Sequence, residues 1–435
     1  MEKLNIFIKC VFLTVIIFFS VNLNAQNGTT IETISDSLYQ ELLEVRKYLY
    51  NNPELAGTEK ITSSFIEKYL VSLGLEVKTN IGGYGVVGIL NEGKKGKKIA
   101  WRADMDAISN HKHIENELHT ENSNAAHYCG HDVHTTIALG IATILAKRKS
   151  YIQGTVYFIF QPSEENYKGA RAMLADGLLD IIQPDEIYAA HISPMPVGLI
   201  ASKKGYLFAD YKQINITFKK TKFNDELITY TKNILSDLQN VTPNSDFWRM
   251  DNLMRPDIGI GSPKTIFKDF ITVQENFEVI ENNKTITISG YLSASNKKLM
   301  EGARHQLQQQ IAFSRYAKKL KKVEFNSSKF VYSKERANIT NNAFLVEKAI
   351  EILSKNKSSL ITTIPLYGVI PDGRGDDFAY FQKEIPSVYF FIGGSNFKKG
   401  MIAMPHTPNF TVDTNVIKVG VTAFSSLLMK RVNEK

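Results

Sequence analysis

The amino-acid sequence predicts an α/β fold in which a smaller α+β unit interrupts a larger one. Apolar runs of strand length alternate with amphipathic helical segments over most of the chain, the order that builds a sheet covered by helices. Several of these runs end in carboxylates or deliver a histidine. Between about residues 212 and 335 the chain becomes more polar and the order of elements changes, which indicates an insertion.

The outer segments supply the elements of the larger unit. Helical spacing of apolar residues predicts helices, and continuous apolar runs predict buried strands. The predicted helices cover residues 36–52, 62–74, 134–148 and 414–432. The predicted strands cover residues 84–90, 97–108, 154–165, 186–194 and 386–394.

The insertion shows a different order: a strand, a helix over 224–240, strands over 269–280 and 284–292, and a helix over 296–320. We therefore expect a larger domain formed by residues 26–211 and 336–435, and an inserted satellite domain formed by residues 212–335.

The N-terminus "MEKLNIFIKCVFLTVIIFFSVNLNAQ" has the layout of a secretory signal peptide. A short basic opening precedes an apolar run that is too short for a membrane span, and small residues follow it. We expect cleavage after Ala25, so that residues 1–25 are removed and the product is periplasmic or secreted. An uncleaved anchor is the alternative. Cleavage removes Cys10 and leaves Cys129 as the one cysteine.

Composition narrows the function classes. The formal charge is +8, from 52 Lys and Arg against 44 Asp and Glu. The basic residues are dispersed rather than arranged in a stripe with interleaved aromatic residues, so we expect no nucleic-acid binding. At 435 residues and 43% hydrophobic content the chain can bury a large core.

The stretch "AAHYCGHDVHTT" (125–136) places Cys129 among three histidines, which are His127, His131 and His134. A lone thiol in an oxidising compartment needs protection, and a bound metal ion provides it. Other nitrogen and oxygen donors follow predicted strands. These are Asp104, Asp106, Glu164, Glu165, His191, Asp376, Asp377 and His406. This mixture suits a borderline-soft divalent ion such as zinc.

Simpler interpretations exist for each residue alone. A single histidine is more often packed or exposed than a ligand. The paired glutamates could start a helix, where the helix dipole favours acidic residues. Cys129 could be a nucleophile with a histidine as its base. Convergence of all these donors favours the metal site.

Seven blocks resemble, in order, the signature blocks of metallopeptidase family 20. The similarity is to its amidohydrolase branch, which contains aminoacylases, hippurate hydrolases and plant auxin-conjugate hydrolases. The blocks are "LYNNPELAGTE", "WRADMDAI", "CGHDVHTTIALGIATIL", "GTVYFIFQPSEENYKGARAMLADGLLD", "HISPMPVGLI", "GDDFAYFQKEIPSVYFFIGG" and "HTPNFTVD". The resemblance covers about residues 37–210 and 336–432, and implies a catalytic α/β domain with two metal ions and a satellite domain that usually dimerises.

Matched residue by residue, the resemblance implies five metal ligands. They are Cys129, His131, Glu165, His191 and His406. It implies that Glu164 is the general base and that Asp106 orients a ligand, while the part played by His134, support or simple packing, stays open. The ions would be two per chain, zinc first, with manganese, cobalt or nickel as alternatives.

The departures from the family pattern lie mostly in the insertion. The family usually has a histidine soon after the first satellite strand, where it supports the oxyanion across the dimer, and this chain has none there. Ser293 stands where an arginine is expected, and Asp376 where many relatives have glutamate.

Three functions remain compatible with the sequence. The first is an exported amidohydrolase that cleaves N-acyl amino acids or small peptides. The second is a dipeptidase or carboxypeptidase-like peptide hydrolase. The third is a metal-binding protein with weak turnover. In each case we expect a small-molecule partner, no stable membrane anchor and a homodimer formed through the satellite domain.

Overall fold

The computed structural model describes residues 30–109, 124–327, 338–356, 358–371 and 375–434. The predicted signal peptide and Cys10 lie outside these described residues.

The described residues form sixteen strands. They are β1 (Glu76–Ile81), β2 (Gly85–Leu90), β3 (Lys98–Asp104), β4 (Ile108–Ser109), β5 (Ala125–Ala126), β6 (Thr155–Gln161), β7 (Glu186–Pro196), β8 (Leu199–Ser202), β9 (Gly205–Tyr206), β10 (Asp210–Lys219), β11 (Ile271–Glu281), β12 (Thr285–Ala294), β13 (Leu320–Ser327), β14 (Thr340–Asn341), β15 (Thr362–Pro365) and β16 (Ser387–Ser395).

They also form ten α-helices. These are α1 (Ile31–Asn51), α2 (Lys60–Ser72), α3 (His131–Lys147), α4 (Gly169–Ala175), α5 (Leu178–Ile181), α6 (Asn224–Ser236), α7 (Lys297–Ala312), α8 (Ala343–Ser354), α9 (Phe378–Glu384) and α10 (Asn415–Val432).

A large mixed sheet holds eight strands in the order β1-β2-β6-β3-β7-β16-β8-β15. Its centre is parallel, because β3 pairs in parallel with β6 and β7, and β7 pairs in parallel with β16. The register aligns Asp104 with Gln161 and His191 with Phe391. Parallel strands end at the same edge, so the polar residues that follow β3 and β6 meet there. The predicted α/β class is confirmed.

Helix α3 is buried along its length and holds His131, its first residue, in place. Every residue from His131 to Ala146 is buried. Its apolar side chains join one core cluster with those of α1, α2 and α10, on one face of the large sheet. A second cluster covers the other face. Burial at this depth holds His131 rigidly, since a packed helix cannot shift without opening the core.

A separate four-stranded antiparallel sheet has the order β11-β12-β10-β13 and its own buried cluster, to which α6 and α7 contribute. The prediction of a helix over 296–320 was wrong at its C-terminal end. Helix α7 ends at Ala312, and β13 begins at Leu320. The Ser314 hydroxyl donates to the Ile311 carbonyl and accepts from the Tyr316 N–H, so side-chain bonds replace the helical ladder there.

The irregular segment between α6 and β11 packs away from the small sheet. Its residues Phe247, Ile260 and Phe267 are buried in the second cluster of the large sheet. The Ile260 carbonyl accepts from the N–H groups of Tyr367 and Gly368. The inserted region is therefore tied to the loop that leads toward Asp376 and Asp377.

Two glycines in different surroundings predict opposite effects of alanine substitution on stability. A Cβ at the buried Gly154 would lie 1.9 Å from the Lys97 carbonyl oxygen, so Gly154→Ala should lower the unfolding free energy by about 1–3 kcal/mol. At Gly302, exposed in α7, a Cβ would meet nothing within 4 Å, so Gly302→Ala should raise it by roughly 0.5–1 kcal/mol. Urea denaturation measures both. Equal effects of the two substitutions would contradict this packing.

Candidate metal centre

Four parts of the chain deliver the five predicted ligands to one edge of the large sheet. Cys129 precedes α3, and His131 begins it. Glu165 follows β6, His191 lies within β7, and His406 lies in the loop after β16. The structure brings all five together. Residues far apart in the chain thus share one site.

Cys129 lies at the centre of the cluster. Its Sγ is 3.3 Å from His191 Nε2 and 3.2 Å from His406 Nε2. His406 Nε2 is also 3.2 Å from Glu165 Oε1. Donor atoms that bind one ion at about 2.0–2.3 Å lie roughly 3–4 Å apart, so these separations fit a shared ion.

The histidine tautomers point the free nitrogens into the cluster. His131 Nδ1 lies 2.9 Å from the Asp106 carbonyl oxygen and 3.1 Å from its Oδ1, so Nδ1 carries the proton. His191 Nδ1 lies 2.7 Å from the Ile192 carbonyl oxygen, with the same consequence. In its neutral form each ring therefore presents Nε2 as the free nitrogen, which is the form that binds a metal.

Two buried atoms in the cluster lack hydrogen-bond partners: His131 Nε2 and Glu165 Oε1, which are 3.8 Å apart. Buried polar atoms are nearly always satisfied, so this pair indicates a position for a cation. Together with the thiol and two further imidazoles, they form a nitrogen, sulfur and oxygen set that fits zinc chemistry. The residues present therefore fit a dinuclear divalent-metal centre.

Asp106 connects two of these ligands. Its Oδ1 accepts from His131 Nδ1, and its Oδ2 accepts from the Glu165 backbone N–H at 2.9 Å. Asp106 is fully buried, so both bonds are shielded from water. This is the geometry of a carboxylate that orients metal ligands without binding metal itself.

His134, whose part the sequence left open, has both ring nitrogens occupied. Its Nε2 accepts from the Ile192 N–H at 2.9 Å, so its Nδ1 carries the proton and donates to Asp104 Oδ1 at 2.6 Å. It therefore anchors the residue beside His191 rather than offering a nitrogen to an ion.

Sequence reasoning missed the network beneath the cluster. Arg102, 1% exposed, donates to Asp104 at 2.7 Å, to both oxygens of Asp376, and to Asp377 at 3.2 Å. The Tyr389 hydroxyl adds a bond to Asp376 at 3.0 Å. Arginine and tyrosine within apolar strands carry no pattern that marks them, and only the register of the sheet brings them together.

The charge balance of the metal-free cluster shows what an ion would change. Burial alone would lower the pKa of His131, but the Asp104 and Asp106 carboxylates outweigh it and raise that pKa to about 10. Burial, and then the charges of Glu165 and Glu164, hold the pKa of the Cys129 thiol well above its usual range. A thiol that is protonated and 5% exposed is a poor nucleophile, which disfavours the cysteine-hydrolase alternative.

The loop that carries the two glutamates has an unusual backbone. Ser163 and Tyr167 lie in the left-handed region, with φ of 56° and 57°. A Cβ at Gly169 would lie 1.6 Å from the Pro162 carbonyl oxygen, so the closing residue must be glycine. The tight turn lets consecutive side chains diverge. Glu165 faces His406, while Glu164 groups with the carboxylates of the Arg102 network.

Ser293, which stands where the family pattern has an arginine, has a structural role. Ser293 is 6% exposed, and its hydroxyl donates to the Pro371 carbonyl at 2.9 Å. It therefore ties the small sheet to the loop before Asp376 instead of presenting a charged side chain.

A buried cluster of metal donors beside a free carboxylate is what a metal-dependent hydrolase of amide or peptide bonds requires, and this chain is such an enzyme. The chain belongs to the peptidase family M20/M25/M40, whose family model matches residues 100–430. The family predicted from the seven blocks is confirmed.

Known proteins similar to this chain include both peptidases and amidohydrolases. Thermostable carboxypeptidase 2 of Saccharolobus solfataricus is 28% identical over 407 residues, covering 90% of this chain and 96% of that protein. IAA-amino acid hydrolase ILR1-like 6 of Arabidopsis thaliana is 27% identical over 406 residues, covering 91% of this chain and 81% of that protein.

The fold is shared with the Bacillus subtilis YXEP protein, described as a dinuclear metal binding peptidase from the M20 family. The TM-score is 0.68 at 22% identity, and the match covers 92% of this chain and 99% of that one. Within the described part of this chain, no helix has the length and apolar character needed to cross a membrane.

Asp106 gives the sharpest test of the ligand geometry. Asp106→Asn removes one of two acceptor oxygens, so either His131 keeps only the Asp106 backbone carbonyl or the Glu165 N–H loses its partner. Metal affinity should fall by about 10–100-fold. Competition with a chelator, read by elemental analysis, measures it.

The control is Asp257→Asn, because Asp257 forms only an exposed pair with Arg255. An unchanged affinity in Asp106→Asn would show that the orienting bonds do not matter.

Proposed function

We propose that the protein is an exported amidohydrolase that cleaves the amide bond of N-acyl amino acids or small peptides. In this proposal Cys129, His131, Glu165, His191 and His406 hold two divalent ions, and zinc is the ion that the donor set favours. Manganese, cobalt and nickel are the alternatives that metal analysis distinguishes. The ions would supply Lewis acidity, which polarises an amide carbonyl and acidifies a water molecule.

Glu164 is the proposed general base. Its side chain is 6% exposed, and its Oε2 lies 3.9 Å from His131 Nε2, at the edge of the donor cluster. Burial, and then the charges of Asp376 and Glu165, hold the pKa of Glu164 well above its usual range. A carboxylate so poised takes a proton from water and returns it to the leaving amine.

The observation that carries this proposal is the division between the adjacent glutamates. Glu165 Oε1 lies against His406 and His131, where a ligand is needed. The Glu164 carboxylate groups with His131 on one side and with Asp376 and Asp377 on the other, and its Oε2 lies 3.9 Å from His131 Nε2, beyond hydrogen-bond distance. It is therefore available for proton transfer.

A peptide hydrolase is the second candidate. The similarity to a carboxypeptidase, at 28%, is as great as the similarity to an auxin-conjugate hydrolase, at 27%. Both reactions break a linear amide bond and need the same metal centre, so the substrate side of the pocket decides between them.

For the architecture we propose a catalytic domain of residues 26–211 and 336–435, with a satellite domain of residues 212–335 that forms a homodimer. The separate four-stranded sheet and its own buried cluster support the division. Export is proposed from the N-terminal sequence. A mature chain that begins at Gln26, identified by mass spectrometry of protein expressed with its leader, would support it, and an intact Met1 would contradict it.

The adjacent glutamates allow a matched test. Glu164→Gln should keep both ions but lower turnover by at least about 10²–10⁴-fold, because the proton acceptor is lost. Glu165→Gln should instead lose metal, because a carboxylate ligand is lost. Metal content by elemental analysis and amine release by ninhydrin, on N-acetyl, N-benzoyl and dipeptide substrates, separate the two.

The preferred substrate in that panel chooses between the two candidate functions. A Glu164→Gln enzyme with wild-type turnover would contradict the proposed base.

A further inference from the structure

A buried carboxylate outside the metal cluster contacts the loop that carries both glutamates. Glu59 directly precedes α2 and is 0% exposed, yet its side chain makes no capping bond to that helix. Its Oε1 instead accepts from the Ser163 N–H at 2.7 Å and from the Gly57 N–H at 2.9 Å. Charged residues are rarely buried so completely without a specific task.

The bond to Ser163 falls where the backbone is strained. Ser163 has a φ of 56°, in the left-handed region that is unfavourable for a residue with a Cβ. The bond from its N–H to Glu59 Oε1 is 2.7 Å long, at the short end of the range for N–H donors. This bond therefore favours a backbone conformation that the Cβ of Ser163 disfavours.

The remainder of the turn depends on the same residue. The Ser163 carbonyl oxygen accepts from the N–H groups of Lys168 and Gly169, at 3.2 and 3.0 Å, which closes the loop around Glu164 and Glu165. The segment before Glu59 also touches the other site loop, since the Ala107 N–H donates to the Glu54 carbonyl at 2.7 Å. This short segment therefore braces both loops that carry the carboxylates of the site.

The second oxygen of Glu59 distinguishes this residue from a routine structural acid. Oε2 is buried and has no hydrogen-bond partner. Burial, and then the nearby Asp106 carboxylate, raise the pKa of Glu59 to about 7. An acid that served only to bind two N–H groups would be more stable where both of its oxygens had hydrogen-bond partners. Glu59 instead leaves Oε2 without a partner while Oε1 accepts from the Ser163 N–H.

We propose that Glu59 is a positioning residue, whose carboxylate holds the turn at Ser163 and thereby aims the two glutamates that follow. The inference rests on the roles proposed above for Glu164 and Glu165, and it adds a residue that acts on both. It predicts that metal affinity and turnover depend on a side chain that touches neither metal nor substrate.

The first experiment compares Glu59→Ala with Glu54→Ala. Glu54 lies in the same segment, but its carboxylate only caps α2, through the N–H groups of Ile61 and Thr62. Glu59→Ala should weaken zinc binding by about 10–100-fold and lower kcat with little change in KM. Glu54→Ala should lower Tm and leave zinc affinity and kcat at wild-type values.

Two conservative variants keep the test informative if Glu59→Ala folds poorly. Glu59→Gln retains an acceptor at Oε1 and should restore zinc affinity and kcat, at a lower Tm because its amide nitrogen is buried without a partner. Glu59→Asp keeps the charge but is one methylene too short for the Ser163 N–H, and should lose affinity. Wild-type zinc affinity in Glu59→Asp would overturn the proposal.

A double-mutant cycle tests the mechanism directly. Glycine adopts a positive φ without the Cβ penalty, so Ser163→Gly should make Glu59 less necessary. The loss of zinc affinity on Glu59→Ala should then be smaller in the Ser163→Gly background than in wild type. Equal losses in both backgrounds would overturn the proposal. A wild-type chain that binds no zinc would overturn the proposed function as well, which separates the two failures.

Discussion

Repulsion among carboxylates that are shielded from water is the constraint on which the site depends. Six of them meet at one edge of the large sheet: Asp104, Asp106, Glu164, Glu165, Asp376 and Asp377. Two like charges 4 Å apart repel by about 4 kcal/mol at an effective dielectric constant of 20. Among the described arginines and lysines, Arg102 alone forms ion pairs with any of the six. One guanidinium cannot balance this charge, so the cluster requires further cations or retained protons.

Two layers of side chains supply positive charge or hydrogen bonds to these carboxylates. In the lower layer, Arg102 in β3 donates to Asp376, which lies just before α9. Tyr389 in β16 donates to the same carboxylate. Above, imidazoles and the Cys129 thiol surround the positions that metal ions would fill. Asp104 joins the layers, because it accepts from both Arg102 and His134. Metal binding at these positions would therefore be coupled to sheet packing, and bound ions would add to stability as well as to chemistry.

The sequence predicts which donors gather around Cys129 better than it predicts the layer below them. Cys129, His131, Glu165 and His191 could be selected as candidate ligands because many metal-donor side chains converge and because the blocks that carry them resemble metallopeptidase family 20. Arg102, Tyr389 and Gln161, which accepts from Arg102 and donates to Asp377, could not, because a polar residue within a buried strand acquires its partner only through strand register. Glu59 was missed for a different reason, since an acidic residue at the start of a helix is ordinary because the helix dipole favours it there.

The fold shows a similar division. The central strands and α3 are predicted because long apolar runs leave few alternatives. The end of α7 is not, because the basic and aromatic spacing after Ala312 still resembles a helix. The bonds of the Ser314 hydroxyl replace helical hydrogen bonds there, and this is a side-chain effect that periodicity does not encode.

Anomalous diffraction from crystals grown with zinc tests the central claim most directly, because it locates ions independently of turnover. Two peaks within bonding distance of the donor cluster are the predicted result. The absence of any peak there, or a single ion held by Asp376 and Asp377 in place of Arg102, would contradict the claim.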